Sequence, residues 1–334
     1  MPTLTEEQKS ELFNCLAAVQ GNPYSSYATF HSSTKDLISE NKIPKFFCSI
    51  CENIVSDRIE NKLYTHLLRN CPIDKELPIF NHDDSVNDKY QKKKTYIGEA
   101  LMEVFSQLTK MPLLSYTILN NGDFFHDVYP HNKYSNTQTQ KTDGELYFHN
   151  DRTSHPIRAD YIVLLGMRCY DENRIYTSYI DGRELLKYLS DETQQILRKQ
   201  YFVTPFYNYS RDSNKQQLVS EKHIVLENEH NFRYHDTRTK VAKDAPTEAK
   251  DALLAFKNAI VKASKERVQI KDGDLLCIPN KGGLHAREII ENNDPQKGRI
   301  RWLLKTHNFR DTESLNKFSD YYYQDILGLV SDCI

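Results

Sequence analysis

The chain has 334 residues, 39 % of them hydrophobic, with 21 Tyr and 15 Phe, which is ample material for the buried core of one elaborated domain. Its net charge of -2, with 27 % charged residues of both signs, gives no general attraction to nucleic acid or to an anionic membrane. No apolar run approaches the ~18 residues of a membrane span, MPTLTEEQKSELF lacks the pattern of a secretory signal, and seven cysteines are too sparse for a disulfide framework, so a reducing cytoplasm is expected.

In chain order, Thr5 and Gln8 form a capping-box pattern ahead of Leu12, Phe13, Leu16 and Ala17 at helical spacing, predicting a first helix. Residues 21–35, rich in Ser and Asn, read as a polar loop. Residues 44–60 predict a second helix, with Pro44 suited to its first turn. Leu63 to Leu68 reads as a short strand, followed from Pro72 to about Lys94 by a polar, charged segment. Ile97, Leu101, Val104, Phe105 and Leu108 predict a third helix.

After Pro112 short apolar runs are separated by turn residues. Asp160 to Met167 predicts a buried strand, and RIYTSYI another. Arg183 to Leu189 and Ser190 to Gln200 predict two helical pieces, the second capped by Ser190. Residues 205–245 are aromatic, polar and aperiodic, the texture of a lid or substrate loop. Thr247 to about Lys265 predicts an amphipathic helix, and VQIKDGDLLCIPN and RIRWLLKTHNF the last strands. The expected architecture is mainly β, with flanking helices.

His149-Asn150-Asp151 ends the alternating stretch Leu146-Tyr147-Phe148. In a strand, residues two apart point to one side, so His149 and Asp151 can face a common point. His82-Asp83-Asp84 has the same pattern but lies in a polar loop and reads as solvated surface. His285, after the apolar run Asp274 to Pro279 and the pair Gly282-Gly283, is the candidate third ligand. Two imidazoles and one carboxylate on one face leave the opposite positions of a metal open, as suits non-haem Fe(II). A co-substrate with a distal carboxylate needs a bidentate cation, for which Arg is suited. Arg299 and Arg301 follow His285 at 14 and 16 residues and are read as sharing one face of a strand. Thr177 or Ser178 can add a hydroxyl.

A competing pattern is Cys48, Cys51, His66 and Cys71, spaced C-x2-C-x14-H-x4-C, as in a zinc knuckle of a nucleic-acid or protein binder.

The motifs CPIDKELP (71–78), NNGDFFHDVYP (120–130), GELYFHNDRTSHPIRADYIVLLGMRC (144–169), DGDLLCIPNKGGLHAR (272–287) and RIRWLLKTHNFRD (299–311) resemble the clavaminate synthase-like Fe(II)/2-oxoglutarate oxygenases, and most of all the bacterial hydroxylases of free L-lysine. The resemblance spans nearly the whole chain. It implies one domain over 1–334 with a double-stranded β-helix (jelly-roll) core: a helical flank over 1–110, the core over 111–312 with a lid insertion at about 205–245, and a helical tail over 313–334. It implies Fe(II) on His149, Asp151 and His285, with 2-oxoglutarate and O2 as co-substrates. Arg301, before Trp302, is selected over Arg299 for the co-substrate. Asp151 stands where several relatives carry Glu and where related halogenases carry Gly, so halogenation is disfavoured. The implied reaction gives hydroxylysine, succinate and CO2, with C4 favoured over C3. Arginine, ornithine or another small polar molecule such as a sulfonate is the alternative substrate. For an amino-acid substrate, Lys305 is the candidate carboxylate anchor, Gln138 the acceptor for the α-amine and Asp236 that for the ε-ammonium. Asp127 and Arg158 read as structural partners. Self-association as a homo-oligomer is left open by the sequence.

Overall fold

Tyr161–Arg168 is apolar on nearly every position, as a strand covered on both faces must be. In the computed structural model, which describes residues 2–60, 65–206 and 218–331, it is buried along its whole length. Ile162 and Leu164 meet Val128, Leu276, Ile278 and Leu303 on one side. Val163, Leu165 and Met167 meet Leu101, Phe105 and Trp302 on the other. This period-two division separates the interior of a two-sheet core from a helical layer outside it.

Thirteen strands are found among the described residues: β1 (His66–Leu68), β2 (Leu113–Tyr116), β3 (His126–Val128), β4 (Leu146–His149), β5 (Tyr161–Arg168), β6 (Asn173–Asp181), β7 (Phe202–Val203), β8 (Lys240–Val241), β9 (Glu266–Val268), β10 (Leu275–Pro279), β11 (Gly283–Asn292), β12 (Trp302–Asn308) and β13 (Leu329–Val330). The larger sheet runs β1-β10-β5-β12-β2-β13, with β3 also on β12, and the smaller runs β4-β11-β6-β9. Tyr179 and Val268 of the smaller sheet pack with Ile162, Leu164 and Leu303 of the larger in the shared interior. The fold is mainly β with flanking helices, a jelly-roll core.

Helices α1 (Glu6–Leu16), α2 (Tyr27–Ser39), α3 (Lys45–Ile59), α4 (Ser85–Lys92) and α5 (Ile97–Leu108) precede the main strands. Leu12, Phe30, Phe47 and Phe105 of this group seal the outer face of the larger sheet. α6 (Gly182–Leu186), α7 (Asp191–Leu197) and α8 (Glu248–Lys262) cover the smaller one, where Leu185, Leu197 and Phe256 pack on Ile180 and Leu284. Two short helices, α9 (Pro295–Arg299) and α10 (Thr312–Asn316), flank β12. No helix among the described residues is long and apolar enough to cross a membrane.

The capping box forms as expected, Thr5 N donating to Gln8 Oε1 at 3.0 Å and Gln8 N to Thr5 Oγ1 at 3.1 Å. Ser190 likewise caps α7 through Thr193 N. Pro44 stands at the cap of α3 itself rather than inside its first turn. The expected strand at 63–68 is seen as His66–Leu68, with residues 63 and 64 outside the described ones.

Two polar stretches are more ordered than expected. The expected loop at 21–35 contains most of α2, because Phe30, Thr34 and Leu37 recur at helical spacing and are buried. Its Ser and Thr residues mask that stripe, and Thr34 Oγ1 accepts from Gln107 Nε2 at 2.7 Å. The charged segment before residue 94 contains α4, whose fully buried Lys89 lies 2.8 Å from Asp127 and 3.4 Å from Asp123. Asp127 also accepts from Trp302 Nε1 at 3.0 Å, and Arg158 pairs with Glu227, so both act as structural partners. The charges are tolerated inside because they are paired.

Beside the turn that leads into β10, a side chain on β5 is excluded. A Cβ on Gly166 would lie 1.9 Å from the backbone oxygen of Lys271. Gly166→Ala is therefore expected to destabilise the fold by at least the roughly 1–3 kcal/mol typical of overpacking, read as a lowered denaturation midpoint. An unchanged midpoint would contradict this packing.

Candidate metal centre

β4 and β11 are antiparallel neighbours, and their register sets His149 directly opposite His285. Adjacent strands bring facing residues within about 5 Å, and the two rings lie 4.4 Å apart at their centroids. Asp151 follows two residues past His149, where β4 has ended in a turn. Asn280 Oδ1 accepts from Asp151 N at 2.7 Å, while Asn150 donates to Gly283 O at 2.8 Å and accepts from Tyr234 N at 2.8 Å. Gly283 is required there, because a Cβ would lie 2.2 Å from Ile180 O. The turn is thus bolted to the connection between β10 and β11 and to the segment at Tyr234.

Asp151 Oδ1 lies 3.3 Å from His149 Nε2 and 3.6 Å from His285 Nε2. Its other oxygen accepts from Lys305 Nζ at 2.7 Å and from His307 Nε2 at 3.0 Å. Burial alone would raise this carboxyl; the Lys305 ammonium above all outweighs it and holds Asp151 well below the usual carboxylate range. Burial, reinforced by His149, pulls His285 down to about 4, leaving a neutral ring with a lone pair. His149 Nδ1 donates to Tyr147 O at 2.7 Å, so in the neutral ring its Nε2 also presents a lone pair to Asp151. Two imidazole nitrogens and a carboxylate oxygen converging on one point fit a bound cation. The two-His, one-carboxylate donor set suits Fe(II) with open positions. Among the described residues this is the one such group within ligating distance, its atoms all within 4.8 Å of one another.

The competing zinc reading is overturned by the same geometry. Cys48 and Cys51 lie in α3, Cys51 and Cys71 are buried in the apolar layer between helices and sheet, and His66 is paired across β1 with Cys277. Burial pushes the Cys51 and Cys71 thiols well up, whereas a metal ligand must be deprotonated. These four residues do not converge.

The triad opens into a cavity of about 110 Å3, partly open to solvent. Five cations line it, Lys141, Arg152, Arg287, Arg301 and Lys305, against one carboxylate, Asp151, among the described residues. Arg301, Leu303, Lys305 and His307 all reach it because alternate residues of one extended segment share a side. Arg301 is only 8 % exposed, yet its guanidinium makes no hydrogen bond or ion pair with any described residue. Arg287 is committed to the loop beside it, donating to Gly144 O at 2.9 Å and Thr142 O at 2.7 Å. Burial and the neighbouring Arg301 lower Arg287 to about 9, and burial lowers Lys141 to about 8.

The other expected residues divide. Thr177 lines the cavity, while Ser178 points the other way and donates to Glu288. Arg299 does not share a strand face with Arg301. It ends α9 and binds Asp143 at 3.0 Å, away from the cavity. Gln138 is in the lining, but its amide is bonded to Glu145 O at 3.0 Å and Tyr147 N at 2.9 Å. Asp236 is outside the lining; it accepts from Tyr234 Oη at 2.7 Å and lies 3.6 Å from Lys257. The backbone of His235, next to it, bridges to His149. Residues 207–217 of the expected lid lie outside the described ones. Sequence reading missed His307 and Arg287, although each stands two residues beyond a residue it did single out, Lys305 and His285.

A jelly-roll carrying this triad and a buried arginine without a partner among the described residues defines a non-haem iron oxygenase architecture. The sequence profile of the taurine catabolism dioxygenase TauD, TfdA family matches residues 99–307, and the chain belongs to that family. Clavaminate synthase 2 of Streptomyces clavuligerus is 24% identical over 244 residues, 72% of each protein. An asparagine oxygenase solved with Fe(II), 2S,3S-3-hydroxyasparagine and succinate superposes with a TM-score of 0.79 at 19% identity, over 99% of this chain and 98% of the other. The non-heme iron oxygenase OrfP, solved with Fe and alpha-ketoglutaric acid, gives 0.78 at 19% identity, over 98% and 99%. At such identities the structures establish a shared fold.

Proposed function

We propose that the chain is an Fe(II)- and 2-oxoglutarate-dependent hydroxylase of a free amino acid, working as one domain, with L-lysine the first candidate substrate and C4 favoured over C3. The observation that carries the reading is the pairing, in one cavity, of the His149–Asp151–His285 cluster with an arginine that has no partner among the described residues. His149, Asp151 and His285 would hold the iron, which when bound supplies the redox chemistry that activates oxygen. Arg301 offers a planar, bidentate site for the distal carboxylate of 2-oxoglutarate, with the Thr177 hydroxyl lining the same cavity.

The protein's own contribution is placement and exclusion of water. Lys305 uses one of its three donors on Asp151, leaving two for the carboxylate of an amino-acid substrate. A substrate carboxylate held by Lys305 would lie beside Asp151. Gln138, held by two backbone groups, shapes the wall beneath the α-amine. Leu119, Val128, Ile162 and Leu164 supply an apolar floor. An ångström of misplacement would change which carbon reacts.

Lysine rests on the motif resemblance, and C4 likewise. A second reading is favoured by the lining itself, whose five cations face one carboxylate: a substrate with a neutral or anionic polar end, an amino acid or a sulfonate. The two readings separate in one assay. Full-length protein is loaded anaerobically with Fe(II) and 2-oxoglutarate, offered the twenty free amino acids, ornithine and taurine singly, then exposed to air. Lysine is expected to give the largest rise in succinate, with a product one oxygen heavier. Preference for asparagine, aspartate or taurine would replace lysine by the second reading; no substrate-dependent succinate at all would remove both.

A further inference from the structure

We propose that His307 is a positioning residue of the metal centre: its Nε2–H fixes the second oxygen of Asp151, so that the carboxylate meets the metal through Oδ1 alone. The inference rests on the reading of His149, Asp151 and His285 as an iron site. Asp151 is held asymmetrically. Oδ1 faces both candidate imidazole ligands, at 3.3 and 3.6 Å, whereas Oδ2 is turned away to His307 at 3.0 Å and Lys305 at 2.7 Å. An oxygen already accepting two hydrogen bonds is poorly available as a second metal ligand, and a carboxylate bound through one atom leaves one more position vacant. Partners of this kind orient ligands and set the affinity of a site.

The ring of His307 is built for that single contact. It is 1 % exposed, and edge-on contacts to Tyr116 and His126, with centroids 5.9 and 5.2 Å away, set its plane. Its Nδ1 is buried without a hydrogen-bond partner among the described residues. Such an orphan acceptor is a cost that phenylalanine or leucine would not carry. What offsets it is the bond from the other nitrogen. Lys305 cannot do the same work alone, because a flexible ammonium whose other donors face the cavity holds charge more firmly than direction.

The test compares His307→Leu, His307→Gln and His307→Asn in the full chain. Glutamine can place an amide donor near the position of Nε2, while asparagine falls short of Asp151. Apo proteins are first melted to establish that they fold, then titrated anaerobically with Fe(II) by calorimetry, and with Co(II) to read coordination from its visible band. The leucine and asparagine variants are expected to bind Fe(II) roughly 10–100-fold more weakly and to shift the Co(II) band, while glutamine restores most of the affinity. If leucine does not fold, asparagine decides. Wild-type affinity in a folded leucine or asparagine variant would overturn the inference, as would equal losses in glutamine and leucine. A wild-type protein that binds no Fe(II) would remove the iron-site reading itself, and is told apart by that first titration.

Discussion

Asp151→Ala and His149→Ala are each expected to reduce iron-dependent turnover to below roughly 1 % of wild type, since changes to the outer partners of a metal site alone cost 10–100-fold. The two variants should differ in stability. Removing the Asp151 carboxylate strands the ammonium of Lys305, whose side chain is 6 % exposed, and takes away the acceptor of His307. Breaking such a buried pair from one side costs about 3–5 kcal/mol. Removing His149 strands no charge. Thermal melting of the apo proteins should therefore place Asp151→Ala clearly below His149→Ala, while both lack activity. Substantial turnover in either variant would contradict the assignment of ligands.

Arg301→Ala is expected to act on the co-substrate. A charge-assisted hydrogen bond contributes about 1.5–3 kcal/mol, which corresponds to roughly a 10–150-fold rise in KM for 2-oxoglutarate. The KM for the amino acid should change much less, because the contacts proposed for that molecule are with Lys305. Arg299→Ala is the control. Arg299 is engaged with Asp143 outside the cavity, so its loss should leave both KM values near wild type. The opposite pattern would transfer the role to Arg299.

Much of the architecture was legible because the relevant signals are periodic. Alternation along Leu146–His149 places a histidine at a strand end, and the apolar run from Tyr161 to Met167 announces a strand covered on both faces. The Thr5–Gln8 box and the stripe of Leu253, Phe256 and Ile260 mark α1 and α8. What stayed hidden depends on pairing between distant segments. Nothing local states that β11 aligns His285 with His149, which is why His285 entered as a candidate and not a deduction. Arg299 was misplaced because the helical turn started by Asp294 and Pro295 runs into the first residue of the expected strand. Also hidden was α2, whose polar residues conceal a buried stripe, and Asp236 was assigned to a cavity it does not line.

Lys305 shows how a residue can be located correctly and still have its partner missed. Its place on the cavity side of β12 follows from period two, but the bond to Asp151 requires the larger sheet to face the turn after β4. His307 follows by the same spacing once that face is known. The cation-rich lining emerges only when the 138–141 loop, β11 and β12 are brought together. It is this summed charge, more than any one side chain, that makes the substrate panel informative.

The position of a bound ferrous ion decides the function of this cavity, and anomalous scattering at the iron edge from crystals soaked anaerobically with Fe(II) measures it directly. The expected result is one strong peak within bonding distance of His149 Nε2, Asp151 Oδ1 and His285 Nε2. A peak elsewhere, or iron bound without His285, would contradict it.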